Sequence, residues 1–558
     1  MSGIGTHLRD SRDAMAGVFR NRSLRRVNLA LVGSVVGDWA YAVALSIYAF
    51  GRGGPTAVGA LAVVRYVSTA LLAPVAALLA DRFDRRLVMV VADVLRGLLV
   101  AGTAVLVISD APSLPVYALS ILTAWVGLAF RPAQSSLLPS LANTPAELTA
   151  ANVTASTVHS VGFFAGPAIA GVLLAVADIG AVLVFDAVTF AWSAVLVFSI
   201  RNGDAPGSAS AEGGDAEESS IDDEEASRAR LLDGYRTIFA SRDLRLLVAL
   251  YVAQTVVAGA SAVYEVAIAL DLLDLGESGL GVLNAALGVG GVVGGILALL
   301  LAQRGKQARD FGLGVVLWAA PLLLVAASPS VATALVAMLL IGLGNSVVDV
   351  NAETIIQRLV PDEVLGRVFG ALDSAAIGGM AIGAAAMPLL INTVGLRSGL
   401  VVVAVAVSLV VVVSLGGLRR IDKVALAPEG LAVVQGVPML AVLPEHTLER
   451  LARTSTVVEV AGGSAVFRAG EVGDRFYIVE DGTADVVIDD EVVASLAAGD
   501  FFGEIALLRD VPRTATVLAT GDLRVRAIDR RHFLPAVTGH AEASEQADLV
   551  VGRLMDGS

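Results

Sequence analysis

Apolar residues come in long blocks along this chain. A hydrocarbon core of about 30 Å takes roughly 20 apolar residues in a helix. Stretches of that kind lie at 27–50, 56–80, 86–109, 113–130, 149–177 and 179–200, then at 245–272, 278–302, 311–327, 331–356, 367–394 and 397–418. A polar break separates the two sets of six. Near Pro438 the texture changes. "LPEHTLERLAR" reads as an amphipathic helix, and brief runs such as "DRFYIVEDG", "TADVVIDD" and "LRVRAID", parted by turn residues, read as short antiparallel strands. "RRHFLPAV" and "EASEQADLVVGRLM" read as closing helices. The pattern predicts an all-α membrane bundle of twelve transmembrane helices in two six-helix halves, plus a C-terminal α+β domain with an antiparallel β-roll. The expected plan is a tail at 1–26, halves at 27–200 and 245–420, a disordered linker with an amphipathic approach at 201–244, a linker at 421–437, and the roll domain at 438–558.

Composition sharpens this picture. The chain is 56% hydrophobic, with a mean hydropathy of +0.76, too apolar for an ordinary soluble chain. The net charge is −14. Nine acids (Asp204, Glu212, Asp215, Glu217, Glu218, Asp222, Asp223, Glu224 and Glu225) fall in the break at 201–228. That segment has almost no large apolar residue to offset chain entropy, so disorder is expected there. No basic groove for nucleic acid stands out. There is no Cys, and the five His are scattered, so neither a disulfide framework nor a metal site is expected. The start is polar to about Arg26, without the apolar core of a removable signal peptide. Arginines cluster in one set of loops, at Arg82, Arg85 and Arg86, at Arg304, Lys306 and Arg309, and at Arg358 and Arg367. The positive-inside rule then puts both termini in the cytoplasm.

Charges inside the apolar blocks are costly and therefore informative. Asp38 lies mid-span in "VVGDWAYAV", without a charged neighbour one turn away. It can bind and release a proton, or pair with Arg65 or Arg96. Asp93 and Arg96 are three apart, share a helix face and can neutralise each other. Glu265 is a second candidate coupling acid, and Asp186, Asp349 and Glu353 are further intramembrane acids. No phosphate loop ending in Gly-Lys-Ser/Thr and no Gly-x-Ser-x-Gly elbow occurs, and no enzyme activity is expected.

Between the second and third spans stands "AALLADRFDRRLVMV". It resembles the signature of the major facilitator superfamily, matched by Asp81, Arg82, Arg85 and Arg86, with Ala77 and Asp84 where that pattern has glycine. The fifth span reads "GFFAGPAIAG" and resembles the antiporter motif of the drug-exporting branch, matched by Gly162, Gly166, Pro167 and Gly171. The resemblance covers about residues 20–420 and implies alternating access between two repeated halves. It also implies a latch, with Asp81 near the start of the eleventh span around Leu365–Arg367.

The roll contains "GDFFGEIALLRDVPRTATV". A turn into a short helix offers backbone N–H groups to an anion. Arg513, nine residues after Glu504, can pair with a phosphate through two parallel bonds. This stretch resembles the phosphate cassette of cyclic nucleotide-binding domains. The resemblance implies that Gly503, Glu504 and Ala506 meet ribose and phosphate, that Arg513 meets the cyclic phosphate, that Thr514 bonds phosphate or base, and that Val486 and Val493 line the base. The implied ligand is cAMP, with cGMP as alternative. The expected whole is a multi-pass cell-membrane exporter of a small molecule, coupled to protons and regulated by cyclic nucleotide, of unassigned oligomeric state. The competing reading is a membrane receptor without transport that signals nucleotide level to a partner.

Overall fold

The computed structural model describes residues 18, 20–200, 233–302, 305–360, 362–425 and 430–556. The acidic stretch 201–228 and the tail 1–17 lie outside the described residues. The chain divides into two compact units, Met1–Val424 and Ala425–Ser558.

The first unit is helical throughout. It holds α1 (Arg22–Arg82), α2 (Arg85–Ile108), α3 (Ser113–Gly127), α4 (Phe130–Leu141), α5 (Pro145–Val176) and α6 (Ile179–Phe198). Then follow α7 (Arg242–Ala267), α8 (Glu277–Ala302), α9 (Gln307–Ala319), α10 (Leu322–Ala327), α11 (Val331–Leu359), α12 (Asp362–Val394) and α13 (Leu396–Ala425). Among the described residues, 11 helical spans are long and apolar enough to cross a membrane, α3–α4 and α9–α10 each forming one. The first span covers 52 residues. Non-helical Gly53 and Gly54, the latter at φ 60°, break α1 into two arms, each long enough to cross a bilayer. Counted that way, the described residues hold twelve candidate crossings, six before the acidic stretch and six after.

Helices begin where side chains answer free N–H groups. Asn21 accepts from the N–H of Ser23 and Leu24, Asp84 from Leu87, and Thr144 from Glu147. Small residues then let helices close. A Cβ on Gly171 would lie 2.9 Å from Gly281 Cα, and one on Gly59 2.5 Å from the Ala384 carbonyl oxygen. These two contacts bring α5 of the first half against α8 of the second, and the second arm of α1 against α12. Gly162 and Gly166 abut Val35 and Trp39 of α1, so the motif glycines act as packing faces.

The second unit starts earlier than the sequence suggests. In place of a linker over 421–437, α13 runs on to Ala425 and α14 (Leu431–Gln435) puts Val434 and Val437 into the roll domain's own core. After α15 (Glu445–Thr454) come β1 (Thr456–Val460), β2 (Ala465–Phe467), β3 (Arg475–Asp481), β4 (Ala484–Ile488), β5 (Glu491–Leu496) and β6 (Phe501–Phe502). Next are α16 (Glu504–Leu508), β7 (Thr516–Ala519), β8 (Leu523–Asp529), α17 (Arg530–Thr538) and α18 (Ala541–Asp556). Two antiparallel sheets form, in the orders β1-β8-β3-β6 and β2-β7-β4-β5. Alternation on β3 feeds two cores. Tyr477 and Val479 join Phe467, Phe502 and Val517 in one cluster, while Phe476 and Ile478 join residues of α14, α15 and α17 in another.

Candidate functional site

Each unit contains a candidate site. In the roll domain, β6 ends at Gly503, whose φ of 88° lies in the left-handed region that favours glycine. A Cβ there would also meet Arg513 Nη1 at 2.6 Å. The chain then enters α16 with Glu504 and Ala506 buried. Arg513 is 3% exposed. It donates to the Gly503 carbonyl at 2.9 Å and the Arg475 carbonyl at 2.7 Å, and lies 3.6 Å from the Asp474 carboxylate. Its guanidinium sits 4.1 Å over the Phe467 ring and 5.7 Å from that of Tyr477.

A charged fork pinned between carbonyls and ring faces is pre-organised. It is not fully answered. Arg513 Nε and Glu504 Oε2 are buried without a hydrogen-bond partner. Such orphaned groups are costly unless something supplies the missing bond. An anion with a neighbouring hydroxyl donor fits both. Burial pushes the Glu504 carboxyl up to about 7, against the pull of its backbone hydrogen bond and of Arg513. No ion pair joins Glu504 to Arg513 among the described residues, so the pair is not a surface salt bridge. Thr514 follows Arg513 and is exposed. Val486 and Val493 stand on β4 and β5, in the opposite sheet. Val486 is partly buried, while Val493 is 54% exposed at a bulge, because Val486 faces Ala494 and Val487 faces Val492. Sequence reasoning missed the aromatic shelf of Phe467 and Tyr477. "SAVFRAG" and "DRFYIVEDG" signalled only strands.

In the membrane unit, a cavity of 850 Å³ lies between the two six-helix halves. Trp39, Phe163, Pro167, Tyr251 and Trp318 are among its walls, with Arg65, Arg131, Glu265, Asp349 and Asp373. An adjoining 210 Å³ pocket is lined by Asp38, Tyr41, Arg65, Arg96 and Thr123.

The expected Asp93–Arg96 pair does not form. Arg96 reaches across to α1 and pairs with Asp38, donates to Ser34 Oγ at 3.5 Å, and lies 4.1 Å over the Phe190 ring. Asp93 instead accepts from Ser193 Oγ of α6 at 2.5 Å. Two helices packed against α2 outcompete the neighbour one turn away. Asp38 is 41% exposed in its side chain and Arg96 8%, so the acid meets the pocket and the base lies behind it. Glu265 is buried and accepts from Asn284 Nδ2 at 3.3 Å, and Asp349 from Asn345 Nδ2 at 3.1 Å. Asp186 is fully buried beside Thr189.

The loop arginines are engaged. Arg85 donates to the Ser136 carbonyl at 2.9 Å. Arg86 donates to the Val197 carbonyl at 3.3 Å and to the Phe198 carbonyl, at the C-terminal end of α6. Arg82 is exposed. The side chain of Asp81 lies outside the described residues. Arg367, its expected latch partner, donates to Asp233 at 3.1 Å.

Compared with known proteins, residues 27–309, just over half the chain, match the sequence model of the Major Facilitator Superfamily. Residues 457–540 match that of the Cyclic nucleotide-binding domain. The chain is 46% identical over 99 residues to a cAMP-dependent protein kinase regulatory subunit of Yarrowia lipolytica, covering 17% of this chain and 26% of that one. It is 37% identical over 103 residues to the Schizosaccharomyces pombe subunit of the same name, covering 18% and 25%. The chain therefore spans about a quarter of the length of these curated relatives. A solved POT family transporter in complex with a thioalcohol conjugated peptide covers 72% of this chain and 96% of its own, at TM-score 0.57 and 14% identity, a likeness of fold.

Proposed function

The chain belongs to the Major Facilitator Superfamily, and from that premise we propose a secondary transporter, a proton-coupled exporter of a small molecule by alternating access, regulated by cAMP. One observation carries the regulatory reading. The roll domain buries Glu504 Oε2 and Arg513 Nε without partners. A ribose hydroxyl donating to Glu504 and a cyclic phosphate accepting from Arg513 supply both bonds. cGMP is the alternative ligand, because the exposed Thr514 hydroxyl can accept from a guanine amino group. Nucleotide biases transport only through differential affinity for the carrier's states.

The transport reading rests on the cavity between the halves. Orientation rests on the basic loops, with both termini and the roll domain in the cytoplasm. Arg52 and Arg397 lie at the opposite ends of the helices, but Arg52 pairs with Asp110 and Arg397 donates to the Ala326 carbonyl. On that orientation the Gly171–Gly281 and Gly59–Ala384 contacts close the outer side, and the cavity serves the cytoplasm.

The test loads full-chain proteoliposomes with a metabolite extract, imposes a pH gradient and identifies released solutes by mass spectrometry. At least one solute crosses with the gradient, at a rate that cAMP alters. Absence of gradient-driven release with cAMP binding intact leaves the receptor reading.

Affinity for cAMP should fall as pH drops below about 7. A donating ribose hydroxyl needs the ionised carboxylate, so below that value binding must expel a proton, at up to about tenfold per pH unit. The stability of the unliganded roll runs the other way. Its folded state keeps a proton that the unfolded chain releases above about 4.3, so stability falls as pH rises toward 7 and is flat beyond. Calorimetry between pH 5 and 8 checks the binding slope. A slope that survives Glu504→Gln removes Glu504 from the ribose contact.

A further inference from the structure

The charges on the 850 Å³ cavity are sorted by half. Arg65 comes from the second arm of α1 and Arg131 from α4, both in the N-terminal half. Glu265 comes from α7, Asp349 from α11 and Asp373 from α12, all in the C-terminal half. None of the five forms an ion pair among the described residues. The side chains that hydrogen-bond them there are neutral, Asn284 and Ser261 on Glu265 and Asn345 on Asp349. Arg65 also lines the smaller pocket, close to the Asp38–Arg96 pair, yet that acid is held by Arg96.

Charge at membrane depth is expensive, and a structural role would pair it. Arg65, Glu265 and Asp349 at membrane depth, joined by Arg131 and Asp373 near the span ends, face one cavity with opposite signs on opposite walls and make a site for a molecule that carries both signs. A neutral solute answers none of them. A simple cation answers the acids and meets the arginines, and a simple anion does the reverse. A cavity of this size takes a drug-sized ligand, and Trp39, Tyr66, Phe163 and Tyr251 offer rings to an apolar middle.

Resting on the transport reading, we infer that the transported molecule is a zwitterion with its charges set apart by an apolar body. Its anionic end lies toward Arg65 and Arg131, and its cationic end toward Glu265 and Asp349.

The experiment uses the purified full chain in detergent. The probes are alanyl-phenylalanine and a series of ω-amino acids, each beside its N-acetyl form, which keeps only the anion, and its amide, which keeps only the cation. Calorimetry and thermal shift read binding. At least one zwitterion binds tenfold or more tightly than both of its blocked forms. Arg65→Gln removes its advantage over the amide, and Glu265→Gln removes its advantage over the acetyl form. Arg131→Gln replaces the first variant where Arg65→Gln does not fold. The inference is overturned when an amide or acetyl form binds as tightly as its parent, or when no zwitterion in the series binds. Counterflow in proteoliposomes separates the two readings. A zwitterion that binds but does not cross overturns transport and leaves the site's class standing, whereas a carried cation does the opposite.

Discussion

Arg513→Ala weakens cAMP binding by the full chain at least tenfold, read by calorimetry. A hydrogen bond to a charged group contributes about 1.5–3 kcal/mol, which corresponds to roughly 10- to 150-fold in affinity. The guanidinium is already held in place, by the Gly503 and Arg475 carbonyls on one side and the Phe467 ring on the other. Little ordering remains to be done on binding, so most of that contribution appears as affinity. The alanine variant also leaves two carbonyls without a donor. Its thermal midpoint is therefore recorded beside its affinity. Arg513→Lys is the discriminating partner: it keeps the charge but loses the fork, and its affinity falls between those of alanine and the wild type. Binding by the alanine variant equal to wild type, in a folded chain, sinks the nucleotide assignment.

The two sites differ in how far they can be read from sequence. The cassette is local. Gly503, Glu504, Ala506 and Arg513 lie within one strand–turn–helix passage, and the left-handed turn at Gly503 is what brings Arg513 against it. Spacing along the chain therefore carries the geometry. The cavity is not local. Arg65, Glu265 and Asp349 stand out as charges inside apolar blocks. Arg131 and Asp373 do not, because they lie near span ends where a charge is ordinary. Their common wall exists only once the two halves meet. The Asp93–Arg96 expectation failed for a related reason. Spacing of three residues allows a pair on one helix, but α2 is packed on both sides, and Asp38 and Ser193 of α1 and α6 made the better partners. The early start of the roll domain was hidden because "EGLAVVQGVPML" is apolar without period, and only α14 packing on the roll tells it from a linker.

Asp38→Asn is expected to abolish proton-driven accumulation while cAMP binding and folding persist. Asp38 is the exposed member of its pair with Arg96, and it lines the 210 Å³ pocket that shares Arg65 with the main cavity. A proton arriving from that pocket reaches the acid before it reaches anything behind it. Neutralising Asp38 leaves Arg96 buried without its counter-charge, which is costly in a bilayer. Arg96 then has another acid within one turn, Asp93, now bonded to Ser193, and the fully buried Asp186 on α6. Movement of Arg96 between these acids ties proton occupancy on α1 to the packing of α2 and α6, which is what a coupled carrier requires. Asparagine keeps the size of the side chain but cannot titrate, so it holds the protonated arrangement permanently. Exchange of a bound zwitterion across the membrane can persist, because exchange needs no net proton movement, whereas accumulation under an imposed pH gradient is lost. The measurement compares counterflow with gradient-driven uptake in proteoliposomes of the full chain, with cAMP binding as the control for folding. If the asparagine variant accumulates substrate as well as wild type and responds equally to the gradient, Asp38 is a structural partner of Arg96. Coupling then passes to Glu265, whose carboxylate faces the main cavity and accepts from the Asn284 amide.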